Sequence, residues 1–333
     1  MRIWIASLLV ALVFVGCSSK KYFEPEEVAG VVSYDGKLPA KIIDVLRDGA
    51  TLEDGHFISE DGLEEYRLPK DHLFIKKGGG YYIAASRCDR VVVIDQKSKE
   101  RVYERRFDSK APVAANIQGS LLALVFDNGS LALYDIDTDE LLYSSDQKGS
   151  IAVDTKIANP YFLGELVIFP TLDGKLVVVD PKRGRELRTL IAGTKPNFNN
   201  VIFLDVIDER LIAATPNKII SVSPQLSSSL DLEISDVLYT KGRVYILTKD
   251  GRIILTDPAL NILKSRKYSF AHFTGAIYGE YIYIIERGGY IIAVDKDLRV
   301  SNIFRFPDQI EEYIFCAKDK VYYGDNYFVL NRP

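Results

Sequence analysis

The chain has 333 residues, 42 of them basic and 46 acidic, a net charge of −4, and no block of like charge. That balance argues against a nucleic-acid binder, which needs a concentrated basic patch. Hydrophobic residues make up 47% of the chain, enough for a large core, and they come in short runs rich in Val, Ile, Leu, Tyr and Phe.

Arg2 and the apolar run 3–15 read as a secretory signal. At thirteen residues the run is too short to span a bilayer comfortably. It ends in Phe14-Val15-Gly16-Cys17-Ser18-Ser19, which resembles a bacterial lipobox, with Phe14 where Leu is usual. The resemblance implies cleavage after Gly16 and acylation of both the Cys17 thiol and the new amino terminus. Several acyl chains together make anchoring close to permanent. Ser18 stands where an Asp would signal inner-membrane retention, so the resemblance implies the outer membrane, with the protein facing the periplasm. Residues 1–16 are then a signal peptide, 17–27 a polar lipidated tether, and 28–333 a single folded domain.

From residue 28 the chain repeats. Asp-Gly between apolar runs marks a tight hairpin in LDGKLVVVD, where Gly174 precedes Asp180 by six positions. The same offset links Gly129 to Asp135, Gly251 to Asp257 and Gly289 to Asp295. CDRVVVID ends at Asp95 without the glycine, and PNKIISVS puts Ser223 in the Asp slot. The anchors 95, 135, 180, 223, 257 and 295 lie 34 to 45 residues apart. A degenerate first copy falls in HFISEDGLEEYRL, and a truncated last copy reaches Asn331. Each copy carries a first apolar strand, a hairpin pair and a more polar fourth strand, as at 101–107, 140–144, 186–190 and 300–306. The central pair reads as buried on both faces, while the fourth strand alternates like a half-wet one.

Four-stranded units of about 40 residues in series predict an all-β, eight-bladed β-propeller of antiparallel blades. The recurring Asp fits a turn cap that binds backbone amides better than a ring of metal ligands. The last copy lacks a fourth strand, so an N-terminal strand is expected to close it; VAGVVSY at 28–34 is the candidate. Cys88 and Cys316 lie in strand-like runs two blades apart, too far for a disulfide, and read as small buried side chains.

The copies VVVDPKRGRELRTL and ALYDIDTDELLYSS resemble the PQQ-dehydrogenase-like propeller repeat. Quinoprotein enzymes dock a tryptophan from each repeat onto the next blade. Here the single tryptophan is Trp4, in the signal, and Tyr103, Leu142 and Leu187 stand near the docking slot. A lipoprotein with eight such repeats resembles the BamB-like family of outer-membrane lipoproteins. That resemblance implies a non-enzymatic scaffold without cofactor, a monomer within a complex, whose partners are the outer-membrane assembly machinery and unfolded outer-membrane proteins.

Signals for other chemistry are weak. His56, His72 and His272 are scattered without metal-ligand spacing and read as surface or loop residues. Lys-Lys-Gly-Gly-Gly at 76–80 lacks the ending of a phosphate loop, and the serines 227–229 read as a polar turn. A rival reading, a small-molecule-binding or enzymatic propeller, needs polar residues converging in the channel; Asp205 and Glu312 are the candidates. A partner-binding propeller unrelated to barrel assembly is a third reading.

Overall fold

The computed structural model describes residues 22–147, 149–150, 153–240 and 242–330. These form thirty-three strands and no helix. The strands assemble in chain order into eight blades, an eight-bladed propeller. Blade one runs Ile42–Leu46, Gly49–Leu52, Phe57–Ser59, Gly62–Glu64, and blade two runs His72–Gly78, Tyr81–Ser86, Arg90–Asp95, Arg101–Arg106. Blade four runs Tyr161–Leu163, Leu166–Pro170, Lys175–Asp180, Arg185–Ile191, and blade six runs Ile234–Thr240, Arg243–Thr248, Arg252–Thr256, Ile262–Lys267. Blades three, five and seven start at Pro112–Gln118, Phe203–Ile207 and Phe273–Tyr278, and blade eight at Ile314–Ala317.

Antiparallel order sorts the loops into two faces. Turns between first and second strands, and between third and fourth, share one face, here the turn face. Turns between second and third strands share the other with the connectors between blades, here the connector face.

The repeat fixes the hairpins for steric reasons. Gly174 sits at φ +87°, and a Cβ there would lie 2.2 Å from the Asn199 side-chain amide. Gly251 sits at φ +81°, and a Cβ would meet the Tyr268 carbonyl oxygen at 2.2 Å. Only glycine fits either place.

The Asp slot caps the turn that follows. Asp95 Oδ1 accepts from the Lys97 and Ser98 amides at 2.9 and 2.7 Å. Asp135 takes Asp137 and Thr138, Asp180 takes Arg183, Ser223 takes Leu226, Asp257 takes Asn261, and Asp295 takes Arg299 and Val300. In the degenerate first copy Ser59 Oγ accepts from the Asp61 amide at 3.1 Å. Asn331, at the end of the last copy, lies outside the described residues.

The core lies in the seams between blades. Phe57 of blade one stacks on Phe74 of blade two with ring centroids 4.5 Å apart. At the docking slot, Tyr103 is buried and donates its hydroxyl to Asp139 of blade three at 2.6 Å. Leu142 is partly buried in the next seam beside the more deeply buried Tyr143. Leu187, in contrast, points to solvent, and Leu190 packs toward blade five in its place. The same outer-strand bulge occurs in blades two, three and four, so register does not set the difference; the outer strand Arg185–Ile191 is exposed along nearly its whole length, with only Leu190 partly buried.

An N-terminal strand closes blade eight, but not the residues the sequence favoured. Gly36–Lys37 pairs antiparallel with Asn326–Val329 and supplies the missing fourth strand. Gly30–Val31, inside the favoured stretch 28–34, instead pairs in parallel with Ser301–Arg305 and gives blade seven a fifth strand. Close packing accompanies this: a Cβ on Gly36 would fall 2.6 Å from the Tyr327 hydroxyl, so with the Tyr327 ring in this place the closing strand approaches as glycine. The aromatic of the favoured stretch serves as seam filler: Tyr34 packs edge-on against Phe306 and donates to Asp308 at 2.7 Å.

Candidate functional site

The first strands of blades one, six, seven and eight line an axial cavity of about 740 Å³ together with connector residues such as Lys156 and Glu311. Its floor is a buried charge cluster. Arg47, in the first hairpin of blade one, donates to Asp236 of blade six at 2.6 Å and to the Val237 carbonyl at 3.1 Å. Lys156, on the connector from blade three to four, reaches the other Asp236 oxygen at 2.6 Å and the Ser235 carbonyl at 3.1 Å. Next to it Asp48 accepts from Lys76 of blade two and from Asn159.

Burial opposes the ionised form of Asp236, but Lys156 and Arg47 outweigh it and hold the carboxyl well below the usual range. Asp48 is likewise held low against its own burial, chiefly by Lys76. Arg47 stays raised because Asp236 overcomes the burial penalty. Each charge in this cluster faces an opposite one within the protein, so the cluster ties blades one, two, four and six together.

The sequence candidates for channel chemistry do not meet. Asp205 accepts from the Val206 amide of its own strand at 2.7 Å and from the Tyr239 hydroxyl of blade six. Glu312 precedes the first strand of blade eight and pairs with Lys41 at 2.9 Å on the connector face. Among the polar cavity residues that sequence reading missed are Arg47, Lys156 and Asp236. Asp236 had a signal, as a lone carboxylate in the apolar first strand ISDVLYT. Arg47 and Lys156 lie in loops and had none.

Other sequence candidates resolve to structural roles. Cys316 faces the cavity, where burial, reinforced by the charge of Asp236, pushes its thiol up to about 12; it stays protonated and is a poor nucleophile at neutral pH. Cys88 departs from the expected burial: it is exposed in the turn between Tyr81–Ser86 and Arg90–Asp95, because the polar run Ser-Arg-Cys-Asp-Arg forms a turn. The two cysteines are free. His56 pairs with Asp54 at 2.6 Å, and the His272 amide donates to Glu286. His72 differs from the surface reading: it opens the first strand of blade two and is buried, with Nδ1 2.9 Å from the Lys70 carbonyl. No group of three or more His, Cys, Asp or Glu could hold a metal among the described residues. Lys76 and Lys77 lie in that strand, Lys77 paired with Asp61 and Glu64, and Gly79–Gly80 form its turn. The serines 227–229 open the fourth strand of blade five, not a turn. Cys17 lies outside the described residues.

The outer rim is where the fold leaves bonding capacity free. The fourth strands of blades two to six, including Arg101–Arg106, Arg185–Ile191 and Ile262–Lys267, are outermost in their sheets. Exposed apolar side chains stand on them, among them Val102, Leu187, Ile191, Ile262 and Leu263. Arg and Lys between them are the usual guard against indiscriminate edge pairing.

Known proteins share this architecture. The crystal structure of BamB from Moraxella catarrhalis superposes with a TM-score of 0.68 at 14% identity, over 88% of this chain and 96% of that one. The C-terminal WD40 domain of Sif2 gives 0.68 at 11% identity, over 92% of this chain and all of that one. Among curated proteins, the plasminogen-binding protein PgbB of Helicobacter pylori strain J99 is 30% identical over 381 aligned positions, covering 97% of this chain and 70% of the relative. PgbB of strain 26695 is 29% identical with the same coverage. The family described as outer membrane protein assembly factor BamB matches residues 53–298, most of the ring, and the chain belongs to that family of PQQ-type repeat propellers.

Proposed function

We propose that this chain is a non-enzymatic, protein-binding propeller. In this reading, acyl chains on Cys17 hold it at the periplasmic side of the bacterial outer membrane, and it serves the assembly of outer-membrane β-barrel proteins. It needs no cofactor and works as a monomer within a larger complex. The observation that carries the reading is the contrast between a cavity whose buried cluster of Arg47, Lys156 and Asp236 pairs within the protein and a rim of outermost strands bearing exposed apolar side chains. A client strand can add to such an edge through its main chain, with alternate side chains meeting the exposed apolar residues. Membership of the BamB family supports this partner class.

Photocrosslinking residues at Leu187 and Leu263 on the rim, and at Thr274 in the cavity, test it in the intact envelope. The rim positions are expected to capture assembly-machinery subunits and unfolded barrel proteins, and Thr274 no protein. Rim positions that capture neither overturn the assembly role. A Cys17→Ala chain is expected to leave the membrane fraction. The 30% identity to PgbB favours a second reading, in which the rim binds plasminogen. Purified plasminogen retained by the immobilised ring, with no assembly subunit crosslinked, would favour it.

A further inference from the structure

We infer that residues 17–23 are a short leash holding the connector face of the ring, at the seam of blades six and seven, against a phospholipid leaflet. The inference rests on the acylation of Cys17 proposed above. Its structural basis is Phe23. This residue is 8% exposed and belongs to the core between blades six and seven. Its ring meets Tyr268 edge-on at 6.2 Å and Tyr290 at 5.5 Å. Tyr268 follows the last strand of blade six and Tyr290 opens the third strand of blade seven, so both mark the connector face. The chain is therefore fixed to the ring at that point, well before its first strand at Gly30–Val31.

Six residues separate Cys17 from Phe23. Fully extended at up to ~3.6 Å each, they span at most about 20 Å. Acyl chains on Cys17 thus keep the Phe23 seam within about 20 Å of the headgroups, whatever path the leash takes. The surface presented there carries exposed aromatic rings beside Glu24, Glu286, Arg287 and Glu311. Tyr22 is 69% exposed and Phe270 47% exposed, and both line the same surface hollow as Phe23. Aromatic rings concentrate at this depth of a bilayer. The turn face of blade seven lies one strand away: Phe273–Tyr278 has six residues. At ~3.3 Å per residue that separates the two faces by about 20 Å along the strand.

The only tryptophan in the sequence is Trp4, in the signal, so one introduced tryptophan reports alone. The acylated full chain carrying Phe270→Trp, on the connector face, is compared with the same chain carrying Tyr278→Trp, on the turn face. Each is reconstituted in vesicles of brominated phosphatidylglycerol and phosphatidylethanolamine. Bromolipid is expected to quench the tryptophan at 270 at least about twofold more than that at 278. Inserting twenty Gly/Ser residues after Ser19 leaves Phe23 in its seam while lengthening the leash, and is expected to make the two positions alike. Equal quenching with the natural leash overturns the inference, as does an asymmetry that survives the insertion. Mass spectrometry of the N-terminal peptide separates the two levels. An acylated chain without asymmetry sinks the orientation alone, and a chain without acyl groups sinks the anchor and the orientation together.

Discussion

Asp236 and Arg47 are 189 residues apart in sequence and meet across the channel through charge, while Val329 and Asp35 are 294 apart and meet at the rim through a backbone amide at 2.8 Å. Both contacts close the ring, but they respond differently to damage. At the rim, Gly36–Lys37 adds strand bonds, and Phe23 and Tyr34 add apolar seam; each piece removed subtracts its own share. In the channel, the gain from pairing three charges is set against the penalty of burying them. Removing one partner there exposes the full penalty, whereas removing all three together removes both terms.

The rim closure has the larger expected effect. A chain starting at Leu38 loses the fourth strand of blade eight, the fifth of blade seven, Phe23 and Tyr34. Loss of a buried aromatic such as Phe23 alone costs about 3–5 kcal/mol, against a total stability on the order of 5–15 kcal/mol. The truncated chain is expected to lack a cooperative thermal transition and to elute as aggregate, with two open sheet edges exposed. A wild-type melting curve would show that the ring closes without its N-terminus.

Asp236→Ala comes next. It leaves Arg47 and Lys156 buried beside an empty place and is expected to cost about 3–5 kcal/mol by chemical denaturation. Replacing Arg47, Lys156 and Asp236 together by Met, Met and Leu is expected to cost far less, and that gap is the signature of the charge tie. The acid limb gives a second measure. The folded Asp236 carboxyl is held below its ordinary value, so its contribution is present above the unfolded pKa of about 4. It is lost as pH falls from there through the lower folded value. Asp236→Asn should therefore be less stable than wild type at pH 7, with the difference shrinking in acid. A difference that stays constant down to pH 2 would place the effect in packing instead.

The two ties were also unequally legible in the sequence. The hairpins were readable because Gly174 and Asp180 answer local demands, a positive φ and a nearby amide to be capped, and local demands recur from blade to blade. The need for closure was readable from the missing strand, but its residues were not. A strand that pairs only by main chain carries no side-chain pattern, so the β-branched run at 28–34 outcompeted Gly36–Lys37. The channel cluster was nearly invisible. Arg47 and Lys156 sit on loops, and only the ring's curvature brings them to Asp236. Leu187 was placed near the docking slot because the exposure of its outer strand barely alternates and gives no pattern to choose by.

The turn caps supply the smallest effect and test whether the repeat itself, rather than either tie, sets blade stability. Asp95 receives two amides at 2.9 and 2.7 Å, whereas Asp180 receives one at 3.2 Å. Asp95→Ala should therefore lower the melting temperature more than Asp180→Ala, both by a few degrees at most. The Asp95 carboxyl is lowered chiefly by the amide of Ser98, so the deficit of Asp95→Ala should be full at pH 7 and fade in acid, where wild type is protonated too. Each cap serves one turn of one blade, so the two substitutions should add when combined. A combined loss well above the sum would mean that neighbouring blades melt as one unit through their seams. The distinction between local turns and long-range ties would then dissolve, because damage at any blade would reach the closure.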